Sequence, residues 1–66
     1  MNNVMVSEKE FKQYLRDNQS RLTGHPVIGH NVSAIQYIDS KGLIDCSYKV
    51  EKFGDCILKT YYIWKD

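Results

Sequence analysis

Sixty-six residues, 42% of them hydrophobic, with nine Lys+Arg against eight Asp+Glu, describe one small globular domain spanning 1–66 rather than a disordered or multidomain chain. The net charge of +1 gives no overall basic excess of the kind electrostatic nucleic-acid binders use, and no apolar run approaches the ~20 residues that cross a bilayer. A chain this short buries only ~60% of its unfolded surface, so its stability is marginal unless one of the usual helpers, a disulfide, a metal or a second subunit, adds to it.

The opening "MNNVMVSEKEF" has neither a basic stretch nor an apolar run of the kind a secretory leader carries. A soluble cytoplasmic protein with no membrane partner is the expectation. The segment "VSEKEFKQYLRDNQSRLTGHP" predicts a helix with both ends marked. Ser7 is the N-cap and Glu10 completes a capping box, while Val6 and Phe11 are spaced as a hydrophobic staple. Phe11, Tyr14, Leu15 and Leu22 follow helical spacing, interrupted at Asn18. Gly24 is read as the left-handed residue after the helix, and Pro26 as the block to its continuation.

"HPVIGHN" reads either as a loop or as the start of a strand bent at Gly29. From Asn31 the apolar period changes to two, and "DSKG" (39–42) and "EKFGD" (51–55) place glycines where hairpin turns need them. Three strands follow, near 32–39, 43–51 and 56–65. The predicted fold class is α+β, with one N-terminal helix packed on a three-stranded antiparallel β-meander.

Three-residue loops at both turns would place Val32, Ala34, Ile38, Ile44, Cys46, Tyr48, Val50, Leu58 and Tyr62 on one face, with Trp64 beyond. That face is the expected core beneath the helix. The other face would carry Ile35, Tyr37, Leu43, Ile57, Tyr61 and Ile63 among charged residues, a half-apolar surface left in water. Such patches mark interfaces. With Phe53 at the hairpin tip, those residues are the candidate protein-binding and homodimer surface. A loop one residue longer would exchange the faces of the last strand.

Cys46 and Cys56 would not meet across the hairpin, and both are expected to be reduced thiols packed as small hydrophobes. They form no Cys-x-x-Cys pair, and His25 and His30 match no established ligand spacing, so no metal is assigned. The acids fall on turns and exposed positions, and "GHPVIGH" is not a phosphate loop. No catalytic residue or cofactor is assigned, and enzyme activity is not expected. A second reading takes Lys9, Lys12, Arg16, Lys49 and Lys59, with sheet tyrosines for stacking, as a nucleic-acid surface. Interleaved acids argue against it. No motif matches a known family residue by residue, and in size and simplicity the chain resembles small accessory regulators and inhibitors. The expected function is that of a non-enzymatic regulator or inhibitor that binds another protein and self-associates.

Overall fold

The structure, a computed structural model, describes residues 2–65. It contains one helix and five strands: β1 (Asn2–Val6), α1 (Glu8–Asn18), β2 (Thr23–Gly29), β3 (Val32–Ile38), β4 (Ile44–Phe53) and β5 (Cys56–Lys65). The strands form a single antiparallel sheet in the order β1-β5-β4-β3-β2. The expected three-stranded meander is therefore corrected to a five-stranded, mostly β molecule. The two additional strands come from segments with weak strand patterns. β1 is five residues long and brings Val4 and Val6 to the core side, and β2 carries Gly24, Pro26 and Gly29.

The helix begins as its residues dictate. The Ser7 hydroxyl accepts from the Glu10 amide at 3.2 Å, and Glu8 and Glu10 place negative charge at the positive end of the helix dipole. Its end lies earlier than Gly24 suggests. Asn18 stops the helix by folding its side-chain amide back to the Tyr14 carbonyl at 2.8 Å, while its own carbonyl accepts from the Arg21 amide at 3.1 Å. Gly24 is then an extended residue of β2, where a Cβ would approach Tyr37 Cε1 to 3.1 Å. Its lack of a side chain makes room for a ring.

β1 and β2 are opposite edges of the sheet, four strand spacings or about 19 Å apart. The 11-residue α1, about 16 Å long, joins them and so must cross the strands rather than run along them. A helix covers a band about 10 Å wide, whereas β4 and β5, at ten residues each, extend about 33 Å. The molecule is accordingly elongated, with extents of 36 × 21 × 21 Å. One end of the sheet is covered on its helix side and the other end is bare.

The register comes from two local features. Ile38 opposes Ile44 and the Asp39 amide donates to the Leu43 carbonyl at 3.1 Å, so the loop through Ser40, Lys41 and Gly42 forms as expected, with Gly42 at φ 81°. Asp39 Oδ1 accepts from the Lys41 and Leu43 amides at 2.9 and 3.0 Å and fixes that loop. A bulge follows at once: Tyr37 pairs with Cys46, leaving Asp45 as the extra residue. At the other turn Phe53 pairs with Cys56, so the connection is the two residues Gly54 and Asp55, with Gly54 at φ 62°. Both features shift parity. Only Cys46, Tyr48 and Val50 of the expected core face the helix side; the strands on either side present Ser33, Ile35 and Tyr37, and Lys59, Tyr61 and Ile63.

The buried core consists of Phe11, Cys46 and Ile63, with Val6, Tyr14, Leu15, Leu22, Tyr37, Tyr48 and Tyr61 packed around it. Phe11 lies 5.2 Å from the Tyr61 ring, 6.0 Å from Tyr37 and 6.4 Å from Tyr48, and Tyr48 stacks on Tyr61 at 4.9 Å. The staple pair of Val6 and Phe11 thus both enter the core.

Candidate functional site

The seven residues expected on an open face divide between two environments. Ile63 is buried, Tyr37 and Tyr61 are half-buried against Phe11, and Ile35 is half-buried opposite Tyr48. These four lie on the helix side of the sheet, because the bulge and the two-residue turn bring their face, not the opposite one, toward α1. Leu43, Phe53 and Ile57 are exposed. Leu43 sits at the β3–β4 loop, and the other two at the far tip of the β4–β5 hairpin.

That tip belongs to the bare end. The Lys52 amide donates to the Asn31 carbonyl at 3.0 Å, so the β2–β3 and β4–β5 turns lie side by side. Eight large apolar side chains are exposed among the described residues, and five of them are here: Val27, Ile28, Phe53, Ile57 and Leu58, between 47% and 84% exposed. On the helix side, Ile28, Ser33, Val50 and Lys59 form a row directly beyond the Pro26–Ile35–Tyr48–Tyr61 row. Between these rows lies a shallow groove of about 220 Å³ lined by Pro26, Ile28, Ser33, Ala34, Ile35, Tyr48 and Val50. On the outer side, Val32, Glu51 and Leu58 align, with Phe53 and Cys56 paired beyond them. Pro26, Val27 and Ile28 had not been assigned to a surface. The signal for them was a short apolar pair inside "HPVIGHN", a segment that reads either as a loop or as the start of a strand bent at Gly29.

At the covered end a polar clamp joins helix to sheet. The bulge turns Asp45 toward α1, where the Tyr14 hydroxyl donates to Oδ1 and Arg21 Nη1 donates to Oδ2 at 2.7 Å. Burial opposes the charge of Asp45, but Arg21 and Tyr14 outweigh it and hold the carboxyl below its usual 3.8. Burial, reinforced by the bond to Asp45, raises the Tyr14 phenol. Beside this clamp a cleft of about 300 Å³ opens among Arg21, Asp39, Leu43, Ile44 and Trp64. Its charged groups are already engaged, Arg21 with Asp45 and Asp39 with the Lys41 and Leu43 amides, which gives it a structural role.

The cysteines part company. Cys46 is fully buried opposite Ile63, and burial pushes its thiol up to about 12. Cys56 is exposed at the hairpin tip opposite Phe53, which corrects the expectation that it packs inside. No group of three His, Cys, Asp or Glu among the described residues is placed to hold a metal. No described helix is long and apolar enough to cross a membrane.

The cations of the nucleic-acid reading are largely matched by acids. Lys12 Nζ lies 2.9 Å from Glu8 and Lys49 Nζ 3.2 Å from Glu51, while the charge of Lys59 is felt by Glu8. Lys9 and Arg16 are exposed on α1, where Arg16 donates to the Gln13 side chain at 2.9 Å. Comparison with protein-family models, curated proteins and solved structures finds no significant match to this chain.

Proposed function

We infer that the protein works by binding another protein, as a small regulator or inhibitor, through the bare end of its sheet. The observation that carries this reading is the gathering of Val27, Ile28, Phe53, Ile57 and Leu58 at the one end α1 does not cover, beside the groove over Pro26 and Val50. Ile28 and Ile57 present themselves on the helix side of that end and Val27, Phe53 and Leu58 on its outer side. Exposed apolar side chains gathered at one end of a small domain offer a protein-contact surface, with the aromatic side chain as an anchor. Lys52 and Lys59 border it on the helix side and Glu51 on the outer side, supplying the polar rim.

The test compares proteins captured by the wild type with those captured by Ile28→Lys, Phe53→Lys and Met5→Lys. Met5 is exposed too, but lies at the covered end on the outer face. An anchor of this class contributes about 2 kcal/mol or more, roughly a 30-fold change in affinity. The specific partner is therefore lost with Ile28→Lys and Phe53→Lys and retained by Met5→Lys, all three variants keeping the wild-type circular dichroism. Capture that follows Met5 instead contradicts the assignment.

A further inference from the structure

The two long edges of the sheet are finished differently. In an antiparallel ladder closed by a two-residue turn, the residues flanking the turn exchange hydrogen bonds, and every second residue from there does the same. In the β2–β3 hairpin that sequence starts at Gly29 and Val32, so Thr23, His25 and Val27 bond to β3. The positions of β2 whose backbone faces outward are Gly24, Pro26 and Ile28. The central one is proline, which has no N–H to offer a further strand, and this edge is closed to pairing.

The other edge is open. β1 pairs only with residues 61–65 of β5, and its last paired residue, Val6, stands opposite Tyr61. Beyond that point no described strand lies along β5. Phe53 and Cys56 flank the Gly54–Asp55 turn, so Cys56, Leu58 and Thr60 bond to β4. The amides and carbonyls of Ile57 and Lys59 therefore point into the slot that β1 leaves vacant. Neither position is a proline, and the exposed Ile57 side chain lies beside the slot.

We propose that a second copy of this chain fills the slot, β5 against β5, joining two five-stranded sheets into one. The slot ends where β1 begins, and Asp55 lies in the turn, which limits the paired strand to residues 56–59. An antiparallel pair centred on Ile57 puts it opposite Ile57 of the other copy on the two-fold axis. Lys59 then comes beside the turn residue Asp55 of the other copy, and Asp55 beside its Lys59. The stretch is complementary to itself in hydrogen bonding, apolar contact and charge alike. Because the axis is perpendicular to the sheet, the helix-side faces of both copies point the same way and their bare ends meet in the middle. Ile57 belongs to the apolar end as well, but Ile28 and Val27, on the proline-bearing edge, take no part in the pairing, so the loss of capture in Ile28→Lys tests the first reading and not this one.

Sedimentation across a concentration series tests this on the full chain, with a dissociation constant expected on the order of 10–100 µM for so small an interface. Ile57→Pro removes the outward N–H at the axis without touching the bonds to β4, and is expected to be monomeric throughout. Lys59→Glu places a like charge beside Asp55 and also dissociates, whereas Lys59→Glu combined with Asp55→Lys restores the dimer. Should Ile57→Pro fail to fold, amide exchange on the wild type decides: the Ile57 and Lys59 amides become protected as concentration rises, while those of Leu58 and Thr60 are protected throughout. A wild type that stays monomeric up to ~1 mM, a dimer that persists in Ile57→Pro, or a charge swap that does not restore association overturns the proposal.

Discussion

Replacing Phe11 by alanine removes the one fully buried side chain of α1, which meets Tyr37, Tyr48 and Tyr61 in the centre of the core. Truncation of a buried phenylalanine costs about 3–5 kcal/mol, the transfer term plus the cavity that remains. A domain of this length has about 3–10 kcal/mol of stability in total, from roughly 0.05–0.15 kcal/mol per residue. The substitution therefore takes a third of the stability at the least and all of it at the most. In a domain this small each kcal/mol moves the melting temperature by about 4–8 °C, so a fall of about 12 °C or more is expected. Urea titration followed by Trp64 fluorescence and by circular dichroism gives the free energy directly. Leu15→Ala, at a half-buried position on the same helix, is the internal comparison and should cost less. If Phe11→Ala loses less than about 1 kcal/mol, an amount typical of an ordinary surface change, α1 does not seal the core and the assignment of the covered face fails.

Asp45→Asn keeps the shape of the clamp and removes its charge. Because Arg21 is 44% exposed, solvent screening keeps the loss to about 1–2 kcal/mol, read as a lower urea midpoint. The same group makes stability depend on pH. Its folded pKa is depressed, so the stabilisation is complete above the usual carboxylate value of 3.8 and disappears as pH falls through the lower folded value. The wild type loses stability in that window faster than Asp45→Asn does. The cysteines give a simpler readout. A thiol alkylating reagent adds once, at exposed Cys56, in the native protein, and a second time, at Cys46, only on unfolding, because Cys46 is buried with its thiol raised to about 12. Two adducts appearing together in the native state would contradict the buried position of Cys46.

Local chemistry made parts of this fold legible. Ser7, Glu10, Val6 and Phe11 state the start of the helix in their own spacing, and Asp39 and Gly42 state the first hairpin loop. What could not be read from the chain depends on partners far away in it. Asp45 becomes a bulge where Tyr14 and Arg21 wait for its carboxylate, 31 and 24 residues back along the chain. One extra residue there reverses which side of β4 matches which side of β3, and the shorter turn at Gly54–Asp55 reverses β5 in its turn. Ile63 consequently exchanged the solvent for the core, and Leu58 the core for the solvent.

β2 was hidden for another reason. Gly24, Pro26 and Gly29 are turn formers in most settings, yet at a sheet edge a proline is tolerated and a glycine can admit the Tyr37 ring. The general form of the surface was legible all the same. One helix cannot cover both faces of a sheet, nor the full length of ten-residue strands, so apolar residues remain exposed whichever register holds. Leu43 and Ile57 were expected on the face away from the helix and Phe53 at the hairpin tip; all three are exposed, but Ile57 lies on the helix side and is open because α1 does not reach it.

The central claim is that α1 covers the face bearing Tyr48, Tyr61 and Ile63 and leaves the end bearing Phe53, Ile57 and Leu58 free for contact. Nuclear Overhauser contacts from the Phe11 ring test it most directly. The account predicts contacts to the rings of Tyr37, Tyr48 and Tyr61 and none to Leu58 or Tyr62. Contacts from Phe11 to Leu58 and Tyr62, with Tyr61 and Ile63 free of the helix, would contradict it and return those residues to the open face.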